Sequence, residues 1–308
     1  MVTLGANCLV DGSSSIARKA GLSEFVIGLT IVGIGTSTPE MVVSFTGAIK
    51  GVSDISVGNI VGSNIFNVFI ILGMTALIRP MAMTKGNVRE DLPLNLMVTL
   101  LLIALGMNKT IFGFGAEDGL SRIDGVIFLA LFTAYMVYSF KAGKEEGVSE
   151  TEGGEKVLRL STAIIFTISG LALLIFGGRV FVNSAENIAL HYGISEKFIA
   201  ITILAGGTSL PELITCVVAA AKNKGQLALG NIIGSNIANI LLILGGSALI
   251  HPLSFGGMTA IDLSALTLGA LLIYISAFVG KKKLLDRPCG VTLLLCEAVY
   301  MTYLIIKL

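Results

Sequence analysis

Two glutamates, Glu40 and Glu212, lie inside apolar stretches, and each ends a Gly-Thr-Ser-x-Pro-Glu sequence. A carboxylate among apolar residues is costly, so such groups normally face an interior where they have a partner. Pro39 and Pro211 each remove a backbone donor and clash with the preceding turn, and a glycine four residues earlier weakens the helix further. The pattern predicts two helices that break beside a buried carboxylate, with free carbonyls around 33–37 and 205–209 turned into a cavity.

The side chains near these breaks are all hard oxygen donors, which suit calcium or sodium and not soft metals. No His or Cys accompanies either glutamate within its sequence motif. Two carboxylates balance one divalent or two monovalent cations, so one cavity is stable with either cargo. A purely structural, protonated glutamate pair is the alternative. The predicted donors are Glu40, Glu212, Thr36, Ser37, Thr208, Ser209, Asn67 and Asn239.

Both glutamates belong to a stretch that occurs twice. Residues 30–73 and 202–245 align without a gap at an offset of 172 positions, so Glu40 matches Glu212 and Asn67 matches Asn239. Each copy also contains Gly-Asn-Ile-x-Gly-Ser-Asn-Ile-x-Asn, at 58–67 and 230–239. Its small residues at four-residue spacing favour close helix packing. For the other four asparagines of these segments, helix packing and cation coordination are equally open: Asn59, Asn64, Asn231 and Asn236.

Composition indicates what surrounds the repeats. Of 308 residues, 54% are hydrophobic and only 13% are charged, and the mean hydropathy is +0.88. Soluble proteins have about 25% charged residues, so this is an integral membrane protein with the lipid bilayer as its partner. A net charge of +1 and the lack of a basic block argue against nucleic-acid binding. No obligate protein partner is evident. We expect free thiols at Cys8, Cys216, Cys289 and Cys296.

Apolar runs of about 20 residues predict an all-α fold with ten transmembrane helices. A polar linker at 141–159 separates a first five-helix repeat (1–140) from a second (160–308), and an odd number of spans inverts the second repeat. Helices 2 and 7, broken at the glutamates, lie at the centre. The expected spans are 2–17, 22–49, 55–78, 92–107, 123–140, 160–188, 194–221, 226–250, 261–279 and 289–306.

The positive charges of the loops predict the orientation. Fifteen Lys and Arg residues fall on the face that holds the linker and five on the other face. Because Lys and Arg are enriched in cytoplasmic loops, the linker should be cytoplasmic and both termini extracytoplasmic in the cell membrane. The first span is short and polar and contains Asp11, which we expect to snorkel or pair near the interface, as we do Arg179 and Glu186.

The paired motifs GTSTPE with GNIVGSNIFN, and GTSLPE with GNIIGSNIAN, resemble the repeats of the calcium/cation antiporter superfamily, specifically prokaryotic sodium/calcium exchangers. The resemblance covers essentially the whole chain. It implies a secondary antiporter, not an enzyme, that exchanges calcium for sodium and needs no cofactor. In this family the first and sixth spans slide across the rest to alternate access.

The resemblance also implies a ligand set. Glu40 and Glu212 would be the central cation ligands, supported by oxygens of Thr36, Ser37, Thr208 and Ser209. The carbonyls of Gly33 and Ala205 would contribute, and flanking sites would be completed by Ser63, Ser235, Asn67 and Asn239. Potassium-dependent members carry Asp where this chain has Asn239, so potassium-independent exchange is favoured. Proton/calcium exchange and potassium-dependent exchange are alternatives within the family, and a cation channel is the alternative outside it.

Overall fold

The computed structural model describes residues 1–114, 117–146, 157–191, 205–278 and 283–307. Three predicted regions fall partly outside these ranges. They are the linker at 147–156, the seventh span and second repeat at 192–204, and the last residue of the ninth span.

The described residues are mostly helical. The first half contains α1 (Val2–Ala20), α2 (Glu24–Thr36), α3 (Thr38–Ile49), α4 (Ser53–Ile78), α5 (Leu92–Gly106), α6 (Asn108–Phe112) and α7 (Arg122–Glu146). The second half contains α8 (Leu160–His191), α9 (Ala205–Gly207), α10 (Leu210–Ala221), α11 (Gly225–Ile250), α12 (Ala260–Ser276) and α13 (Arg287–Ile306). The two-residue strands are β1 (Met81–Ala82), β2 (Gly119–Leu120), β3 (Leu253–Ser254) and β4 (Leu284–Leu285).

The strand pairs join the two halves of the chain. Antiparallel β1 pairs with β4, and antiparallel β2 pairs with β3. Strands β1 and β2 belong to the first half and β3 and β4 to the second, so each half supplies one strand to each pair. Strands β1 and β3 are also equivalent at the offset of 172. The long helices α4 and α11 are also equivalent, and each contains a π-helical turn at the same position, Asn67–Leu72 and Asn239–Leu244. The sequence repeat is therefore also a repeat of local structure.

Burial separates central from peripheral helices. The most apolar part of α11 is 94% buried and that of α4 is 72% buried, whereas α7, α8 and α13 bury only 17% to 28%. The peripheral helices expose large apolar side chains such as Ile123, Phe176 and Val299. Apolar side chains in that number on the outside of a packed helical core are typical of a protein whose solvent is lipid.

Five described helices are long and apolar enough to cross a membrane: α4, α7, α8, α11 and α13. The bent pair α2 and α3 would make a sixth, and α10 and α12 are shorter apolar helices. This is a multi-pass membrane protein. Helical residues occupy each predicted span within the described ranges, while the count of ten spans remains a prediction.

Candidate ion-binding site

The first repeat breaks its helix where the sequence predicts. Helices α2 and α3 meet at Ser37 with a bend of 49°. Pro39 lies in the first turn of α3, where its missing N–H is not needed. Glu40 follows it, and its side chain is 0% exposed. The break thus puts a carboxylate at the start of a helix, where the positive end of the dipole favours negative charge.

The second repeat has the same arrangement. Thr208 and Ser209 separate α9 from α10, and Pro211 again lies in the first turn of the new helix. Glu212 is also 0% exposed. Each motif therefore places one carboxylate in the protein interior beside an interrupted helix.

Serines link the two breaks across the repeats. Ser209 Oγ donates to Glu40 Oε1 at 3.0 Å, and Ser37 Oγ donates to Glu212 Oε1 at 3.0 Å. Ser63 Oγ, from the same repeat as Glu40, also donates to Glu40 Oε1, at 3.2 Å. Each glutamate is therefore held by a serine of the other repeat, which brings the two motifs together.

Five oxygens of the predicted donors are buried without a hydrogen-bond partner among the described residues. They are Glu40 Oε2, Glu212 Oε2, Asn67 Oδ1, Asn239 Oδ1 and Thr208 Oγ1. Leaving a buried acceptor unsatisfied costs about 1–3 kcal/mol, and more for a charged group. The described ion pairs do not include either glutamate. A hard cation would satisfy these oxygens, since carboxylate and amide oxygens are the ligands that calcium prefers.

Hydrogen bonds between asparagines of the two repeats orient the side-chain amides of Asn67 and Asn239. Asn67 Nδ2 donates to Asn236 Oδ1 at 3.0 Å, and Asn239 Nδ2 donates to Asn64 Oδ1 at 2.9 Å. Asn64 Nδ2 donates to the Asn236 carbonyl at 3.1 Å. The amide nitrogens of Asn67 and Asn239 are thus used between repeats, which leaves their oxygens for another partner. Asn64 and Asn236 tie the repeats together.

The other two asparagines also have bonding roles that sequence alone left open. Asn59 Nδ2 donates to the Glu40 carbonyl at 3.2 Å and so supports the turn that carries the carboxylate. Asn231 Oδ1 accepts from Thr36 Oγ1 at 3.1 Å. Asn59 and Asn231 occupy the same position in the two motifs, and this was the one sign in the sequence that they have related roles. It did not reveal their partners.

The expectation of free backbone carbonyls at 33–37 is wrong for Gly33 and Gly35. The Gly33 carbonyl accepts from Ser235 Oγ at 3.1 Å and from Ser37 N at 3.1 Å, and the Gly35 carbonyl accepts from Thr38 Oγ1 at 2.7 Å. The physical reason is that α2 continues to Thr36, so the interruption falls later than the glycines suggest. A carbonyl oxygen has two lone pairs, and both are engaged at Gly33, so this carbonyl would bind a cation only if one of these donors were released.

The remaining predicted donors lie around the same centre. Ser63 Oγ is 2.8 Å from Ser209 Oγ, and Ser235 lies one turn from Asn231 on α11. Ala205 begins α9, just before the second break. A cavity of about 370 Å³ lies against both broken turns and is lined by Pro39, Asn59, Thr208 and Pro211, with Arg179 on its α8 side. The cavity touches residues of both broken turns, although neither glutamate is among its lining residues.

Comparison with known proteins gives a consistent result. The sequence model of the family described as sodium/calcium exchanger protein matches residues 1–141 and 162–306. CaxA of Alkalimonas amylolytica is 38% identical over 94% of this chain and 91% of its own. Sodium/calcium exchanger MaX1 of Methanosarcina acetivorans is 34% identical over 97% of this chain and 94% of its own.

A solved structure of the sodium-calcium exchanger NCX_Mj, soaked with Na⁺ and Sr²⁺, superposes with a TM-score of 0.83. It is 33% identical, and the match covers 98% of this chain and 94% of that one. The fold, the family model and the relatives agree along nearly the whole length. The chain belongs to the sodium/calcium exchanger family, whose members are transporters and not enzymes.

Proposed function

We propose that this protein exports calcium from the cytoplasm in exchange for sodium through one cation cage shared by its two repeats. The observation that carries the proposal is the pair of fully buried glutamates, each held by a serine of the opposite repeat and each with a buried oxygen left over. Neither repeat forms the cage alone. Family membership and the likeness to NCX_Mj support sodium and calcium as the transported ions.

The charge of the cage supports exchange over one-way transport. Two carboxylates in a low-dielectric interior repel each other strongly when no cation lies between them. One calcium or two sodium ions neutralise them, so the loaded cage is stable with either cargo and costly when empty. Glu40 and Glu212 are the proposed central ligands. The proposed flanking ligands are Thr36, Ser37, Thr208, Ser209, Ser63, Ser235, Asn67, Asn239 and the carbonyls of Gly33 and Ala205.

We further propose that access alternates between two inverted five-helix repeats, 1–140 and 160–308, with ten spans, a cytoplasmic linker at 141–159 and both termini outside. The first-half helix α1 packs against second-half α8 through glycines. A Cβ built on Gly12 would lie 2.7 Å from the Ala163 carbonyl oxygen, and one on Gly5 would lie 2.8 Å from that of Gly170. Contact this close favours movement of α1 and α8 as one unit. The Asp11 to Lys222 ion pair, at 2.6 Å, then joins that unit to α10.

Calcium uptake into proteoliposomes, under imposed sodium, potassium or proton gradients, tests the proposal. We expect an outward sodium gradient to drive uptake, with saturation by external calcium and no requirement for potassium. Uptake driven only by protons would identify a proton/calcium exchanger. A potassium requirement would contradict potassium independence. Single-channel currents would show that the protein is a channel and not an exchanger.

Potassium independence makes a prediction at Asn239. In Asn239→Asp, the side chain can no longer donate to Asn64 Oδ1, and a third negative charge enters the cage. Losing that hydrogen bond costs about 1 kcal/mol, so we expect sodium-driven uptake to fall about fivefold, and potassium to begin to stimulate it. The measurement is uptake with and without potassium.

The pseudo-symmetric variant Asn67→Asp is the matched control for added charge, because Asn67 donates to Asn236 Oδ1 in the same way. If Asn239→Asp responds to potassium and Asn67→Asp does not, then the position of the added charge, and not the charge alone, decides cation selectivity. Unchanged potassium response and calcium affinity in Asn239→Asp would show that Asn239 only packs.

A further inference from the structure

Glu297 is a third buried carboxyl in the membrane-spanning helices, away from the cage. It lies near the middle of α13 (Arg287–Ile306), its residue is 6% exposed, and its Oε2 is buried without a hydrogen-bond partner in the described part of the chain. An ionised carboxylate at that depth would need a cation or water beside it. The cage does not use this group.

The repeat shows that the fold does not need a carboxyl here. In α7, a Cβ on Gly125 would lie 2.7 Å from the Gly245 carbonyl oxygen, and in α13 a Cβ on Gly290 would lie 2.7 Å from that of Gly73. Gly73 and Gly245 are equivalent at the offset of 172, so Gly125 and Gly290 are structural counterparts. Counting from these glycines, the counterpart of Glu297 is Phe132, which packs against the core.

The same register pairs Tyr135 with Tyr300, which confirms it. Tyr135 OH donates to Asp91 Oδ1 at 3.1 Å, and Tyr300 OH donates to Asp262 Oδ1 at 2.8 Å. Both halves thus have a tyrosine bonded to an acid near the end of a neighbouring helix. Only the second half has a carboxyl one helical turn from this tyrosine. Glu297 and Tyr300 are three residues apart and lie on one face of α13.

Among the described residues, no cation faces Glu297 from the helices packed against α13. The neighbouring part of α4, Asn67–Ile78, contains no titratable side chain. On α12, the titratable residues are Asp262, bonded to Tyr300, and Tyr274, which packs on Phe278 at the other end. On α13 itself, Cys296 and Tyr300 are adjacent. A proton is therefore the charge-balancing ligand that these surroundings accommodate.

We propose that Glu297 is a proton-binding site, connected to the membrane surface at the start of α12 by Tyr300 and Asp262. The carboxyl is protonated while α13 packs against α4, and it releases its proton when water reaches it. Because the first half has Phe132 instead, the site exists on one side of the pseudo-symmetric structure only. It binds its proton independently of the cation cage and does not rest on the proposed exchange.

Labelling with dicyclohexylcarbodiimide tests this, because the apolar reagent reacts with protonated carboxyls in apolar surroundings. The protein in lipid vesicles is labelled between pH 5 and pH 9, and the modified peptides are mapped by mass spectrometry. We expect the Glu297 peptide to be labelled at least about tenfold more than the peptide of exposed Glu117, with a decline at alkaline pH that follows proton release.

Two variants serve as references. Glu297→Gln should abolish labelling of that peptide, and Glu297→Phe, which copies the other half, should give a folded protein without the site. Labelling of Glu297 no greater than that of Glu117 across the pH range would overturn the proposal. So would labelling that sodium suppresses at constant pH, since the carboxyl would then hold a metal cation.

Discussion

Glu40→Gln and Glu212→Gln should each lower sodium-driven calcium uptake by at least about a hundredfold, which corresponds to about 2.7 kcal/mol. Glutamine keeps the size of the side chain and can still accept from Ser209 or Ser37, so the hydrogen bonds seen at Oε1 survive. What disappears is one of the two negative charges. With one charge left, neither one calcium nor two sodium ions are neutralised. Uptake in proteoliposomes and calcium binding to purified protein measure the loss.

Glu117→Gln is the control for the chemical change, because Glu117 is exposed on a loop. We expect it to transport normally. The two cage variants should be impaired to a similar degree, because each removes one of the two negative charges and each glutamate is held by a serine of the other repeat. Full uptake by either variant, in protein that elutes and melts as the parent does, would mean that the cage does not carry the ions.

Most of the candidate site could be located from the sequence because each of its motifs occurs twice. The proline-glutamate pairs indicated both helix breaks and both buried carboxylates, and the gapless offset indicated that they belong together. In the structure, α2 and α3 meet in a bend at Ser37, and hydrogen bonds from Ser37 and Ser209 to the glutamates link the two motifs.

What sequence could not supply is the partner of each polar group across the repeats. The carbonyl of Gly33 looked free because a glycine and a proline follow it, yet Ser235 of the other half donates to it. Likewise, Asn64 and Asn236 have the same sequence surroundings as the proposed ligands, and only their packing against each other shows that they join the halves. These contacts depend on the crossing of α2 with α11 and of α4 with α11, which no local pattern encodes.

That crossing leads to the second large effect, at Gly234. A Cβ built there would lie 2.5 Å from the Leu29 Cα and 2.7 Å from the Leu29 carbonyl carbon, both of them backbone atoms. Backbone cannot rotate away as a side chain can, so helix α2 must shift. We expect Gly234→Ala to lower the free energy of unfolding by about 1–3 kcal/mol, and Gly234→Leu to give no folded protein. Melting in detergent measures the first, and the yield of monodisperse protein measures the second.

Gly256→Ala is the matched control, since the added Cβ would lie 3.4 Å from a side-chain atom, Ser254 Oγ, in a surface turn. It should change stability by less than about 0.5 kcal/mol. Gly234→Ala should also slow transport in the protein that does fold, because the neighbouring Ser235 donates to the Gly33 carbonyl at 3.1 Å and loses that geometry when α2 moves. If Gly234→Ala melts and transports as the parent does, α2 and α11 are not in backbone contact. The cage then owes its shape to the asparagine bonds between α4 and α11 instead.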